Sequence, residues 1–298
     1  MRMSAARSPS TKGNWYNGAR FPPGQDNIIS QQDEEKHTKR RAQMAEGYAG
    51  KTNPTLEPTI SMHVQNFIDL LRRNYISSDK EFKPIDMGRK ASFLTMDVIT
   101  DVAFGQPFGN LVNDKDIIAN NSHAVKDTDV RQDMLSSFIK DGLDENDVMY
   151  ESVLQIIAGA DTTATAIRSI FLHIMTNPHA YRALQQEIDT AVKDGRVTGE
   201  GVIKEPEARE LPYLQAVIQE GIRVWPPVTG GLQKLSPPNG DRFTLSSREE
   251  VHIPGGVNVG WSSWAMMRDK STFGVDAEVL RPERWLEGEG TTEGKRGW

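Results

Sequence analysis

Ala158-Gly159-Ala160-Asp161-Thr162-Thr163 lies at the centre of the longest helical pattern in the chain, residues 147–175. A glycine followed closely by two threonines is poor helix material. Threonine hydroxyls can bond back to a preceding carbonyl and bend a helix. A helix that departs from propensity at its centre is often shaped by function. A helix that needs small residues only for close packing reads the same way, so spacing alone leaves both readings open.

On either side the sequence is mainly helical. Residues 1–30 are rich in Ser, Gly, Pro and Arg and read as irregular, with Pro22-Pro23-Gly24 as a breaker. Helices are expected at 31–48, 61–75, 87–104, 132–140, 180–192 and 211–224, where apolar residues recur at helical spacing or turn signals bound the stretch. Asn177-Pro178 stops the long central helix, because proline cannot continue the backbone ladder. Residues 243–259 read as short strands around a hairpin-like turn at Pro254-Gly255-Gly256. A short helix at 262–268 follows, and then irregular chain. No internal repeat is visible.

Composition removes several classes of function. The 298 residues include no cysteine, so disulfides, zinc–thiolate sites, iron–sulfur clusters and cysteine nucleophiles are excluded for this stretch. The six histidines show no metal-ligand spacing; His173 and His179 are too far apart to share a helical face as a ligand pair. A net charge of −6 argues against an electrostatic nucleic-acid binder, which would show a basic face. With 37% hydrophobic residues and a mean hydropathy of −0.54, there is little surplus apolar material for the core. No long apolar run suggests a signal peptide or transmembrane segment, so as written the chain reads as soluble and cytoplasmic.

Two further segments carry chemistry. Glu220-Gly221-Ile222-Arg223 places opposite charges at i and i+3, on a helix whose Leu214, Val217 and Ile218 form an apolar stripe. Glu278 with Arg281 and Glu293 with Arg296 match the same spacing, so the pair alone says little. Arg281-Pro282-Glu283-Arg284-Trp285 is rich in charge for a place that also holds a tryptophan.

In order and together, these segments resemble the cytochrome P450 family. The Gly159–Thr163 stretch looks like the family's distal, oxygen-activating helix. Glu220 to Arg223 looks like its Glu-x-x-Arg helix, and Arg281 to Trp285 like its Pro-Glu-Arg segment. His37-Thr38-Lys39-Arg40-Arg41 stands where the family has a Trp/His-x-x-x-Arg helix, and residues 251–259 resemble its small sheet. The resemblance runs from about Asn14 to about Glu287. The stretches 161–168 and 211–230 look closest to fungal pisatin-demethylase-type members.

The resemblance implies a mainly α fold with a small β region near the C-terminus, incomplete, occupying residues 31–287, followed by an unstructured tail at 288–298. It implies a haem monooxygenase that inserts one oxygen atom of O2 into a small organic substrate, with electrons from NADPH through a reductase at the endoplasmic reticulum membrane. Gly159 and Thr162 would open a notch for dioxygen. Thr162 would hold a water there, and Asp161 would help relay protons, since timed proton delivery in a nearly dry site suits a carboxyl–hydroxyl pair. Arg41, with His37 as a second candidate, would pair with a haem propionate. Glu220, Arg223 and Arg284 would form a structural ion network behind the haem, and Val228, Thr229 and Gly230 would border the substrate pocket.

The sequence also departs from the family pattern. The family's cysteine loop should follow the Pro-Glu-Arg segment; here the chain runs Leu286-Glu287-Gly288-Glu289-Gly290. Without a thiolate there is no push of electron density onto the iron to favour O–O cleavage. A second gap is expected between about Asn113 and Asp129, where members carry helices that roof the pocket. Together these losses read as a truncated or mis-spliced chain, inactive as given. A competing expectation is a non-catalytic helical scaffold that acts in protein binding or haem sequestration.

Overall fold

Capping and proline placement fix the helices. The structure, a computed structural model, describes residues 8–49, 55–117, 134–244 and 248–286. Helix α1 (Glu34–Tyr48) begins where Asp33 accepts hydrogen bonds from the amides of Glu35 and Lys36, each at 3.0 Å. Helix α2 (Leu56–Asn74) starts at Leu56, ahead of the expected residue 61. Pro58 lies in its first turn, where the missing N–H has no helical partner to lose. Helix α3 (Met87–Phe104) has the expected bounds, with Asp86 capping one end and Gly105 turning left-handed (φ 69°) at the other.

Helix α4 (Asn110–Asn113) was not expected. The buried carboxylate of Asp97 on α3 builds it, accepting the amides of Asn110 at 3.0 Å and Leu111 at 2.9 Å. Helix α5 is Met134–Lys140 and helix α6 is Glu145–Met175. Asn177 then caps helix α7 (Pro178–Lys193), so Asn177-Pro178 ends one helix and starts the next, with proline at the tolerated first position. Helix α8 (Glu205–Arg209) is followed by α9 (Pro212–Val224), again with proline in its first turn. Helices α10 (Ser263–Met266) and α11 (Lys270–Phe273) and a 3-10 turn at Pro282–Trp285 complete the helical part.

The β region differs from expectation in two ways. Strand β2 (Gly231–Leu235) lies before the stretch expected to hold strands, and it pairs antiparallel with β5 (Asn258–Trp261) and with β1 (Thr11–Lys12). Strands β3 (Asp241–Thr244) and β4 (Glu250–Ile253) form a separate pair. The Pro254-Gly255-Gly256 turn therefore joins strands of two different sheets and is not a hairpin turn. Residues 1–30, read as irregular, include β1 and a 3-10 helix at Asn14–Ala19. Among the described residues no helix is long and apolar enough to cross a membrane.

The chain folds as two compact units, and residues 31–287 contribute to both. The first takes Met1–Thr52, Met134–Leu154 and Gly230–Ser262. Its helical part packs α1 on α5, with the Tyr48 and Phe138 rings 5.7 Å apart. The second takes Asn53–Asp133, Gln155–Thr229 and Ser263–Trp298. One of its cores gathers Phe67, Leu70, Phe93, Leu94 and Leu111; another gathers Ile174, Tyr213, Val217, Val224 and Leu280. The tail at 288–298, and most of the expected gap at 113–129, lie outside the described residues.

Gly221 shows how tightly the second core is built, because a Cβ there would collide with the Ile170 side chain. Gly221→Ala is expected to cost about 1–3 kcal/mol by overpacking. Gly18→Ala, where nothing lies within 4 Å, is expected to change stability little. Urea unfolding of both variants checks this.

Candidate functional site

Adjacent arginines on α1 point to different tasks. Arg40 pairs with Asp147 and, at 3.4 Å, with Glu151. Arg41, about 100° further round the helix, lines a cavity of about 570 Å³. His37, one turn earlier, lines the same cavity, as do Lys12, Tyr16, Ile28, Ile29 and Met44. Arg41 has no carboxylate partner among the described residues.

Sequence reasoning named His37 and Arg41 and missed Lys12. Strand pairing delivers it: Lys12 lies opposite Lys234 on β2, and its ammonium donates to the carbonyls of Ile28 at 3.1 Å and Ile29 at 2.9 Å. Two of its three donors are thereby committed, and one is left for a ligand. Burial, and then the charge of Lys234, bring its pKa down to about 8. Burial, then the charges of Lys12 and Arg41, hold the His37 imidazole below its ordinary value. Three cationic or protonatable groups thus face one largely apolar space, which is the donor set for an organic carboxylate.

At the centre of α6 the helix runs unbroken through Gly159–Thr163. The Thr162 hydroxyl donates to the Ala158 carbonyl at 2.6 Å, which leaves its oxygen free to accept. Asp161 is exposed, in line with exposed Val153 and Ile157 at four-residue spacing. A Cβ on Gly159 would meet Ile99 of α3 at 2.8 Å, so the missing side chain there is used for helix packing.

Glu220, Arg223 and Arg284 are in direct contact. The Arg223 guanidinium meets the Glu220 carboxylate through two bonds, at 2.7 and 2.8 Å, and Arg284 Nε donates to it at 3.0 Å. The Arg281 amide and the Trp285 indole add one bond each at 2.9 Å. Glu220 is wholly buried, and burial alone would raise its pKa. The hydrogen bonds from Arg223 and the Arg281 amide, reinforced by the charge of Arg223 and the bond from Arg284, outweigh burial and hold it below the ordinary carboxylate value.

Val228 and Thr229 are held by their main chains: the Val228 carbonyl accepts from the Ser263 hydroxyl, and that of Thr229 from the Trp264 amide at 3.2 Å. Gly230 lies against the Trp261 carbonyl, 3.3 Å from where a Cβ would stand. None of the three lines the cavity of Lys12, His37 and Arg41.

The profile of the Cytochrome P450 family matches residues 115–297, a range that continues past residue 287. Cytochrome P450 monooxygenase ABA1 of Pyricularia oryzae is 35% identical over 343 residues, covering 96% of this chain and 66% of that protein. Its counterpart aba1 of Botryotinia fuckeliana is 34% identical over 350 residues, covering 99% and 67%. The chain belongs to the cytochrome P450 family. Pisatin demethylase of Fusarium vanettenii is 42% identical, over 46% of this chain and 25% of its own length. The chain spans about two thirds of the length of the ABA1-type P450 relatives. The alignment with ABA1 is longer than the 298 residues here, so that relative has residues with no counterpart in this chain.

Haem, the P450 cofactor, fits part of what is present. Lys12, His37 and Arg41 suit its carboxylates. Its iron has no thiolate partner among these 298 residues, which hold no cysteine. No oxygen-activating step follows from these residues alone.

The Glu220 cluster makes an independent prediction. Arg284→Ala leaves a buried carboxylate short of a partner and is expected to cost about 3–5 kcal/mol. Because the folded pKa of Glu220 is depressed, its contribution is present above the unfolded value of 4.5 and is lost as pH falls below it. Urea midpoints measured on the acid side of neutrality should fall less steeply for Glu220→Gln than for the unaltered chain.

Proposed function

We propose that this chain carries the cofactor-carboxylate and proton-handling parts of a fungal haem-thiolate monooxygenase of secondary metabolism. Such an enzyme inserts one oxygen atom of O2 into a small organic molecule, with electrons from NADPH passed through a reductase at the endoplasmic reticulum membrane. The shared cavity of Lys12, His37 and Arg41 is the observation that carries the reading. When bound through a thiolate, haem supplies the O–O cleavage chemistry. The thiolate must come from outside these 298 residues, and on its own this stretch is inactive.

The roles of the residues follow from their chemistry. Arg41 offers a planar fork to one carboxylate, and Lys12 offers its remaining donor beside it. His37 sits one turn from Arg41 and adds a donor when protonated. Thr162 holds a water through its free acceptor capacity, and the exposed Asp161 passes protons toward that water. Gly159 keeps α6 close to α3, which sets the position of Thr162. Glu220, Arg223 and Arg284 hold the fold, and Val228, Thr229 and Gly230 border the substrate space. The absence of cysteine favours a second reading, in which the chain binds a porphyrin without catalysing oxidation.

Metal-free protoporphyrin IX tests the carboxylate site without the iron. The expected result is binding by the unaltered chain, about 10–100-fold weaker binding by Arg41→Ala for the loss of a charge-assisted bond, and none by the dimethyl ester. Equal binding of acid and ester overturns the reading. Affinity should also fall as pH rises through about 8, where Lys12 loses its charge. If haem itself binds, a carbon monoxide spectrum of its reduced form without the thiolate signature is expected from this cysteine-free chain.

A further inference from the structure

One buried carboxylate has no part in the proposed chemistry. Glu151 on α6 is wholly inaccessible to solvent. Its Oε1 accepts the Ile28 amide at 2.7 Å, and its Oε2 has no hydrogen-bond partner among the described residues. Four groups bear on its charge. Arg40 on α1 lies 3.4 Å away, Lys12 on β1 acts at longer range, Asp147 stands one turn back on the same helix, and the Ile28 amide touches it directly. Arg40 is a weakened partner, since it also pairs with Asp147 and donates to the Asp26 carbonyl.

The segment that Glu151 holds is a closed block. Asn27 Oδ1 accepts the amides of Ile29 and Ser30, each at 3.0 Å, and Ser30 Oγ accepts the Asn27 amide at 2.9 Å. Asn27 Nδ2 donates to the Ala19 carbonyl at 2.6 Å. Asn27 and Ser30 are wholly buried. A turn so cross-linked within itself moves as a unit, and its Ile28 and Ile29 line the cavity of Lys12, His37 and Arg41.

We propose that Glu151 is a proton-sensitive latch, which fastens the 26–30 turn to α6 while it carries a proton and loosens it on ionising. Protonated, the carboxyl still accepts the Ile28 amide through its carbonyl oxygen, and no charge is buried. Ionised, it buries a charge with one bare oxygen and a shared guanidinium, so an opening that lets water reach it becomes cheaper. Burial is the main cause of the raised Glu151 pKa, about 7 against an ordinary 4.5, with Arg40 opposing it. The folded value is the higher one, so the latch contributes fully below about 4.5 and is lost as pH rises through about 7. The latch operates whatever the cavity holds, so its test needs no porphyrin.

Hydrogen exchange read by mass spectrometry on the peptide spanning 26–31 of the full chain reports the opening, once rates are corrected for intrinsic pH dependence. The opening equilibrium should grow by up to about tenfold per pH unit between pH 5 and 7 and level off above. Glu151→Gln keeps an oxygen for the Ile28 amide and cannot ionise, so its profile should be flat. Parallel profiles in the two proteins overturn the proposal. If Glu151→Gln does not fold, difference infrared spectra of the unaltered chain decide instead. A buried protonated carboxyl band that titrates near neutrality supports the latch, and its absence at pH 6 overturns it.

Discussion

The second unit is organised around one carboxylate. Glu220 accepts five hydrogen bonds, from Arg223 on its own helix and from the Arg281 amide, Arg284 and Trp285 on a segment distant in sequence. Arg223 in turn donates to the carbonyls of Met267, Ala277 and Val279, and Arg284 to those of Phe273 and Asp276. The backbone from α10 to the 3-10 turn has little regular structure with which to satisfy itself, and these two guanidiniums bond its carbonyls. The i,i+3 spacing alone would not have picked this pair out. Arg281 shares that spacing with Glu278, yet it pairs with Asp276 at 2.7 Å. Burial on an apolar helix face, together with the Arg-Pro-Glu-Arg-Trp segment, distinguishes Glu220–Arg223.

The helices were legible because their signals are local. Period, caps and proline positions fixed α3, α6, α7 and α9 to within a few residues. What escaped notice depends on partners far along the chain. Strand β1 is two residues long and exists through its pairing with Lys234 and Leu235. Helix α4 depends on Asp97 of the preceding helix for its first amides. The site divides the same way. Arg41 and His37 are one turn apart on one helix and could be read together, whereas Lys12 joins them only once β1 has paired.

Asp161, Thr162 and Gly159 stood out because they break helix propensity, and the structure resolves how the helix tolerates them. The Thr162 hydroxyl is taken by the Ala158 carbonyl, which removes its competition with the backbone, and Gly159 is filled by Ile99. Packing therefore accounts for the glycine. It does not account for Asp161, a carboxylate on an exposed stripe otherwise formed by Val153 and Ile157.

Two wholly buried glutamates show how the same desolvation gives opposite results. Burial is the largest influence on both Glu220 and Glu151, and it pushes both upward. Glu220 ends below its ordinary value because two guanidiniums, an amide and an indole saturate its oxygens. Glu151 ends near 7 because it has one amide, half of an arginine and a bare oxygen. The difference lies in the number of donors and in whether the cation is shared, not in depth. A carboxylate saturated with donors is fixed in one charge state across the physiological range and suits a structural joint. A carboxylate left short of donors changes state within that range, and the turn that it holds borders the cavity that Lys12, His37 and Arg41 line.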